Sequence, residues 1–457
     1  MFIKVLLAGL LATGACATAG ETAAVAEAKA PVSPVTPATA DNPLSFFGGK
    51  VTFDFQERLR GEIRENNFDF NDEVDALTDD SWLLQRARLG VKIKPSDEWT
   101  FYLQGQESHE LDSDRPDIPG RLGAEGDDPI DLRQAWMQFG AERGLSLRIG
   151  RQLLAYGDER LVGPSDWSNF GRAFDAVKVR HAAETWSVDL FTSSVVTING
   201  DEFNQSDWLD DDDDRDQFFS GLYFSANPGG RAHTIDAYAF HLYENGTVGD
   251  TNFATVGGRL KADPKKLDGW EYDFEAAVQK GDVRGGDLTS VAAHAGTGYN
   301  WMQSSWKPRV YVEYVYGSGD DDGADGDVGT FQNLFPTNHK FYGALDLFSW
   351  QNIHQPGLTL QVSPVKNVSV RFDYQMFWLA DTGDAWYRAN GTTQVRPIDD
   401  RADNFAGSEI DVTVSWKAHK NLALTAGYSH FFTGDYLEAT GTASDADFGF
   451  VMAVVDF

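Results

Sequence analysis

Hydrophobic and polar residues alternate along most of this chain with a period of two. "VTFDFQERLR" (51–60) places Val51, Phe53, Phe55 and Leu59 on one parity and Thr52, Asp54, Gln56, Arg58 and Arg60 on the other. "LLQRARLGVKIK" (83–94) sets Ala87, Leu89, Val91 and Ile93 against Arg86, Arg88, Lys92 and Lys94. "WTFYLQGQ" (99–106), "SVRFDYQMFW" (369–378) and "IDVTVSWK" (410–417) repeat the pattern. Successive side chains of a strand point to opposite faces, so each stretch predicts a strand with one apolar and one polar side. Such segments, about ten residues long, recur from Phe46 onward between Gly, Asp, Asn and Pro punctuation, and little in the body has a helical period.

Two architectures accommodate many such strands. A soluble sandwich or propeller turns the apolar face into a core; a membrane barrel turns it to lipid and the polar face to a lumen. Three features favour the barrel. The segments match the 9–11 residues or so that cross a bilayer. Aromatic residues recur near segment ends, where interfacial girdles lie. Connections alternate between short turns, such as "PSDE" (95–98) and "AHKN" (418–421), and long polar loops: Leu111–Pro129, Gly200–Asp216, Gly317–Gly329 and Ala380–Asn404. The expected fold is all-β: a transmembrane antiparallel β-barrel of about 18 strands, with short periplasmic turns and long acidic extracellular loops.

The N-terminus reads as an export signal over residues 1–19. Lys4 precedes the apolar "VLLAGLLA" (5–12) and the small residues of "TGACATAG" (13–20), with cleavage after Ala17 or Ala19. The single cysteine, Cys16, lies inside this signal. A lipoprotein site would acylate it, but Thr13 stands where such a site wants Leu; cleavage after Cys16 leaves no thiol and no disulfide. Residues 20–43, ending "AKAPVSPVTPATADNP", are an Ala/Pro-rich flexible tether. The barrel domain then spans 44–457.

The formal net charge of −32 sits mainly in loops, at its extremes in "DWLDDDDDRD" (207–216) and "GSGDDDGADGDVG" (317–329). Such runs read as solvated extracellular loops. Carboxylates with glycines also attract calcium, although "DDDGADGD" (320–327) does not keep calcium-loop spacing. No other cofactor is expected.

"LRIGRQLLAYGDERLVGPSDWSNFGRAFDAVKV" (147–179), "NLFPTNHKFYGALDLFSWQNIH" (333–354), "FWLADTGDAWYRANG" (377–391), "GSEIDV" (407–412) and "GYSHFFTGDYL" (427–437) resemble, in order, the blocks of the alginate-export domain family of bacterial outer-membrane barrels. The resemblance covers nearly all of the chain after residue 44. It implies a bacterial outer-membrane channel with a basic lumen, passing an anionic polysaccharide such as alginate. Transport is then passive, and the partners are the polymer, outer-membrane lipids, and export components of the periplasm or inner membrane.

With the apolar parity in lipid, Arg58, Arg60, Arg86, Arg88, Lys92 and Lys94 face the pore and form a basic sector on the first two predicted strands. Lys178, Arg180, Arg371 and Lys417 also turn inward. Arg148 does as well, and the family's "LRxGRQ" block adds Arg151; Gly150 between them marks a bulge or strand end that lets both reach the lumen. Cationic rings favour anions, and Arg pairs bidentately with carboxylate. "GDERLVGPSDWSNFGRAFD" (157–175) is expected to fold into or over the pore, with Asp158, Glu159, Arg160, Asp166, Arg172 and Asp175 in a salt-bridge network that gates or braces it. "NLFPTNHKFYGALDLFSW" (333–350) is expected to enter the barrel as a loop too.

Acids share the inward face: Asp54, Asp189, Asp273, Glu275, Glu313, Asp373 and Asp411. They fit the rival reading, a diffusion porin for small solutes. An enzyme, whether a barrel hydrolase or a secreted polysaccharide-active protein, is disfavoured. The chain has no G-x-S-x-G elbow and no H-E-x-x-H pair, and Ser429 and His430 are adjacent, hence on opposite faces of a strand. A soluble sugar-binding β-protein is the third class; nucleic acid is not an expected partner.

Overall fold

A computed structural model describes residues 44–73, 78–118, 125–209, 216–246, 248–391, 396 and 398–457. The predicted signal, the tether and Cys16 lie outside the described residues, as do residues 210–215 of the acidic run.

Eighteen strands form the wall: β1 (Val51–Glu65), β2 (Asp80–Ile93), β3 (Trp99–Leu111), β4 (Asp128–Phe139), β5 (Gly144–Gln152), β6 (Phe174–Ala182), β7 (Trp186–Val195), β8 (Gln217–Ala226), β9 (His233–Glu244), β10 (Thr251–Ala262), β11 (Trp270–Val283), β12 (Gly286–Asn300), β13 (Arg309–Gly317), β14 (Ile353–Val362), β15 (Val368–Trp378), β16 (Phe405–His419), β17 (Leu422–Thr433) and β18 (Ala446–Asp456). Each pairs antiparallel with its neighbours in sequence. β18 then closes on β1, from Gln56↔Asp456 to Glu65↔Asp447. Closure removes every edge, as a strand structure in lipid requires. Two-residue strands at Ser45–Phe46 and Asp327–Val328, three single-turn 3-10 helices (Pro228–Gly230, Pro264–Lys266 and Asn338–Lys340) and one short α-helix, α1 (Asp435–Thr440), complete the regular structure among the described residues.

An even strand count leaves both ends of the barrel chain at one rim. That rim carries short turns, such as residues 140–143, 183–185 and 420–421; the other carries the loops 66–79, 112–127, 153–173, 196–216, 318–352 and 379–404. The exceptions at the loop rim are residues 245–250 and the hairpin at Arg284–Gly285, both in the left-handed region (φ 51° and 86°), which matches the twist of β11 and β12.

The alternation seen in the sequence is the alternation of the wall. Leu89 and Leu103 are 59% and 50% exposed on the outside, while Arg86 and Gln106 are 1% and 4% exposed inside. Aromatics cluster at the turn rim (Trp99 with Phe139; Trp270 with Tyr299) and again toward the loop rim (Trp378 with Phe405). These are the two girdles of a lipid-spanning band.

Inside, the loop half is packed rather than hollow. Phe70, Phe331, Leu345, Phe348, Trp350, Phe377, Trp386, Phe431 and Leu437 form one buried apolar cluster. Phe348 lies flat on Phe377 at 4.1 Å between ring centres, and Trp386 stacks on Phe348 at 4.8 Å. The cluster draws on loops 66–79, 318–352 and 379–404 and on α1, so their apolar residues find a dry interior within the barrel mouth.

Candidate functional site

The arginines of β1 and β2 converge on loop 153–173. Arg58 Nη1 donates to Asp166 O (2.8 Å), and its Nη2 donates to Ser168 O (3.1 Å) and Asn169 Oδ1 (3.0 Å). Arg86 donates to the same Asp166 and Ser168 carbonyls and pairs with Asp166 Oδ2 at 3.3 Å. Arg88 Nη1 pairs with Asp166 Oδ1 at 2.7 Å, and Arg133 of β4 lies 3.9 Å from that oxygen. Arg60 donates to Trp167 O and packs over its ring at 4.0 Å. One loop carboxylate thus sits among four guanidiniums. Burial alone would raise the Asp166 pKa; Arg86, Arg88, Arg133 and Arg58 outweigh it and hold the carboxyl well below the usual range. Its folded pKa lies below the unfolded one, so the pairing contributes fully above the ordinary value of about 3.9 and is lost only as pH falls through the depressed value. Acid is therefore not expected to release this loop: single-channel conductance should stay constant from neutral pH down to about pH 5, measured in planar bilayers.

Loop 153–173 is joined along its length to loop 318–352. Val162 and Phe335 form a parallel β-bridge. Gly163 N donates to Phe335 O (2.8 Å), and Phe335 N donates to Leu161 O (2.8 Å). Lys340 pairs with Glu159, Arg172 Nη1 donates to Pro336 O (2.8 Å), and Trp167 stacks on His339 at 3.7 Å. The second loop is tied to the wall at Leu345, whose carbonyl accepts from Arg64 of β1 (3.1 Å) and whose N–H donates to Glu409 of β16 (3.0 Å). The pair forms a single bar across the lumen.

Toward the turn rim the inward cations are half-buried rather than covered: Lys92 and Lys94 at the end of β2, Arg148 on β5, and Lys178 and Arg180 on β6. Arg148 packs over Trp136 at 4.0 Å and donates to Gln138 (2.7 Å). Asp189 serves both Arg180 (2.7 Å) and Lys178 (3.8 Å). Lys94 pairs with the exposed Glu142 at 3.2 Å, a contact of small worth.

Residues 50–450 match the family model described as "Alginate export". The chain belongs to the alginate-export family. It is a β-barrel channel of the outer membrane. Among solved structures, the fold is similar to that of three proteins of Pseudomonas aeruginosa. OccK9 (OpdG) superposes with a TM-score of 0.61 at 13% identity, over 89% of this chain and 98% of that one. OccK11 (OpdR) gives 0.58 at 12%, over 89% and 96%. OccK2 (OpdF) in complex with glucuronate gives 0.59 at 11%, over 89% and 98%. At these identities the likeness carries the fold alone. No curated protein matches the chain.

Within this alginate-export barrel the predicted loop network takes a different form. Of the six residues expected to pair among themselves, only Asp158 and Arg160 do (3.4 Å). Glu159 and Asp166 reach other elements, and Arg172 meets carbonyl oxygens of Gly163 and Pro336. Asp175 is not a loop residue. It lies on β6, directly opposite Arg151 of β5, and the two form a bidentate pair (3.1 and 3.0 Å). Arg151 also donates to Asn204 O (2.8 Å), and Ser206 Oγ donates to Asp175 (2.8 Å). This pair therefore anchors loop 196–216, apart from the Asp166 cluster. Most of these side chains pair outside the loop because the loop crosses the lumen and meets the wall on both sides. Arg160 illustrates this, reaching Glu313 of β13 at 3.4 Å.

Three participants went unrecognised in the sequence. Arg133 sits at a register shift opposite Gln104 and Gly105, where alternation fails as a guide. Arg64 and Glu409 share the inward parity of Arg60 and Asp411, but parity does not reveal that both grip Leu345. Among the described residues, no group of three or more His, Cys, Asp or Glu is arranged to hold a metal ion.

Proposed function

We propose that this channel passes an acidic, uronate-rich polysaccharide outward through the membrane, without chemical conversion and without an energy source of its own. The observation that carries the reading is Asp166. A lumen whose Arg58, Arg86, Arg88 and Arg133 already close around one carboxylate has the chemistry to take another. The cations Lys92, Lys94, Arg148, Lys178 and Arg180 lie on the periplasmic approach, where a polymer leaving the cell first enters. Spread over β2, β5 and β6, they offer many weak sites instead of one strong one, which transit requires. Arriving carboxylates then compete with Asp166 for the arginines and displace the bar. Export components of the periplasm or inner membrane are the partners this reading implies.

A second reading, passage of small carboxylates, draws on the inward acids Asp236, Asp273 and Glu313, on the packed loop half, and on the neighbours. Vanillate was bound in the OpdK structure and glucuronate in OccK2, and both are carboxylates. One experiment separates them. In a planar bilayer under a salt gradient, the purified barrel is expected to give an anion-selective reversal potential. Oligouronates of several residues are expected to block it at concentrations where monomeric glucuronate does not, and Arg148→Gln with Lys178→Gln should weaken the block about tenfold, roughly 1.4 kcal/mol shared between two weak contacts. Equal block by monomer and oligomer favours the porin; cation selectivity removes both readings.

A further inference from the structure

We propose that the guanidinium of Arg388, in loop 379–404, is a docking point for a uronate carboxylate at the loop end of the lumen; this rests on the export reading above and adds an exit station to it. Arg388 lies over the ring of Phe68, in loop 66–79, at 3.5 Å. Arg64 of β1 approaches the same ring at 5.8 Å. Arg64 is fully engaged: Nη1 donates to Leu345 O (3.1 Å), Nε faces Glu62 at 3.5 Å and Nη2 faces Asp346 at 3.8 Å. Arg388 is not engaged. Among the described residues no carboxylate or carbonyl accepts from its guanidinium, and its buried Nε is without a partner. Asp346, the acid whose charge reaches it, is already held by His339 Nδ1 at 3.0 Å and by Arg64. Asn67, beside Phe68 in the chain, is 1% exposed, and neither the nitrogen nor the oxygen of its amide has a partner. Acids are at hand in the same two loops, yet Asp72, Glu73, Asp399 and Asp400 are exposed to solvent instead.

A charged fork without an acceptor is costly to hold half out of water. Burial and the neighbouring Arg64 push the Arg388 pKa down to about 10, so at neutral pH the charge is present and uncompensated. A planar carboxylate restores the balance, since it takes two parallel hydrogen bonds from one guanidinium. The exposed loop acids repel a doubly charged phosphate more strongly than a singly charged uronate, which sets the class of anion. The Asn67 amide has a donor and an acceptor to spare, the pair a sugar hydroxyl satisfies. Arg388 keeps contact with solvent and Asn390, two residues on, is exposed, so the site is reached from the loop rim. A single fork makes a single contact, weak enough to release each carboxylate as the next arrives.

The test treats intact cells carrying the full chain with p-hydroxyphenylglyoxal, which adds to guanidine groups, and reads each arginine by peptide mass spectrometry. Arg388 is expected to be labelled, and an external oligouronate of several residues should slow that labelling at least fivefold. Arg401 of the same loop, its side chain 91% exposed, should be labelled at one rate with and without the oligomer. Inorganic phosphate should leave Arg388 unprotected, and monomeric glucuronate at equal carboxylate concentration should protect it less than the oligomer does. An Arg388 that resists the reagent, that is labelled equally fast in the presence of the oligomer, or that phosphate or the monomer protects as well as the oligomer overturns the proposal. The bilayer experiment keeps the two readings apart: block without protection leaves the conduit and removes the exit site, whereas protection without block supports the carboxylate site and removes the conduit.

Discussion

Replacing Asp166 by Asn is expected to turn a barred channel into an open, strongly anion-selective one. Asp166 is the carboxylate shared by Arg86 and Arg88, with Arg58 bound to its backbone carbonyl and Arg133 beside it. Removing one partner of a buried, hydrogen-bonded charge cluster costs about 3–5 kcal/mol, because the remaining charges are left uncompensated. Here the cost falls on the closed arrangement, where the guanidiniums crowd together around the loop. With the loop withdrawn, they face water and anions. A shift of about 3 kcal/mol changes the closed-to-open ratio more than a hundredfold. Single-channel recording should show long openings in Asp166→Asn and a reversal potential displaced further toward that of the anion. If conductance and selectivity stay those of the parent, the arginines do not hold the bar through this carboxylate.

The second large effect is expected from Phe348→Ala. Phe348 is buried between Phe377 and Trp386, within reach of Phe431. Truncating a core Phe typically costs about 3–5 kcal/mol in lost burial and residual cavity. The barrel itself should survive, since Phe377 of β15 and Phe431 of β17 meet this cluster through their side chains while their backbones stay paired in the ladders. What loosens is the attachment of loop 318–352 to the wall. Proteinase K added to intact cells should then cut within 318–352 in the variant and spare the parent, while both migrate as heat-modifiable barrels. A variant that loses its barrel migration would show instead that the cluster supports the wall.

How much of this was legible beforehand follows from the range of the forces involved. Strand parity is local: Arg86, Arg88, Lys92 and Lys94 declare their face through their immediate neighbours, so the wall and its girdles could be read directly. So could the entry of residues 333–350 as a loop instead of another strand. What an inward side chain meets is a long-range matter. The parity of Arg58 and Arg86 predicts a basic lumen, yet it does not say that a loop about a hundred residues away closes over them, a pairing 108 positions distant for Arg58 and Asp166. Arg133 was hidden because a bulge breaks the count. Asp175 was misplaced because the strand β6 begins just before it. The apolar cluster was unreadable for a related reason: Trp350 and Trp386 lie in polar, glycine-containing loops and Leu437 on the six-residue α1, and only the enclosure supplied by the barrel makes a core of them.

Leu345 has a consequence for the order of assembly. It is gripped by Arg64 on the first strand and by Glu409 on β16, on either side of the junction where β18 meets β1. That junction joins residues about 400 apart in sequence, Gln56 with Asp456, and is the contact with the greatest entropy to overcome. Until it forms, the two grips on Leu345 cannot exist together. Seating of the bar therefore reports that the cylinder has closed, and an insertion intermediate caught before that moment is an open, unlatched sheet.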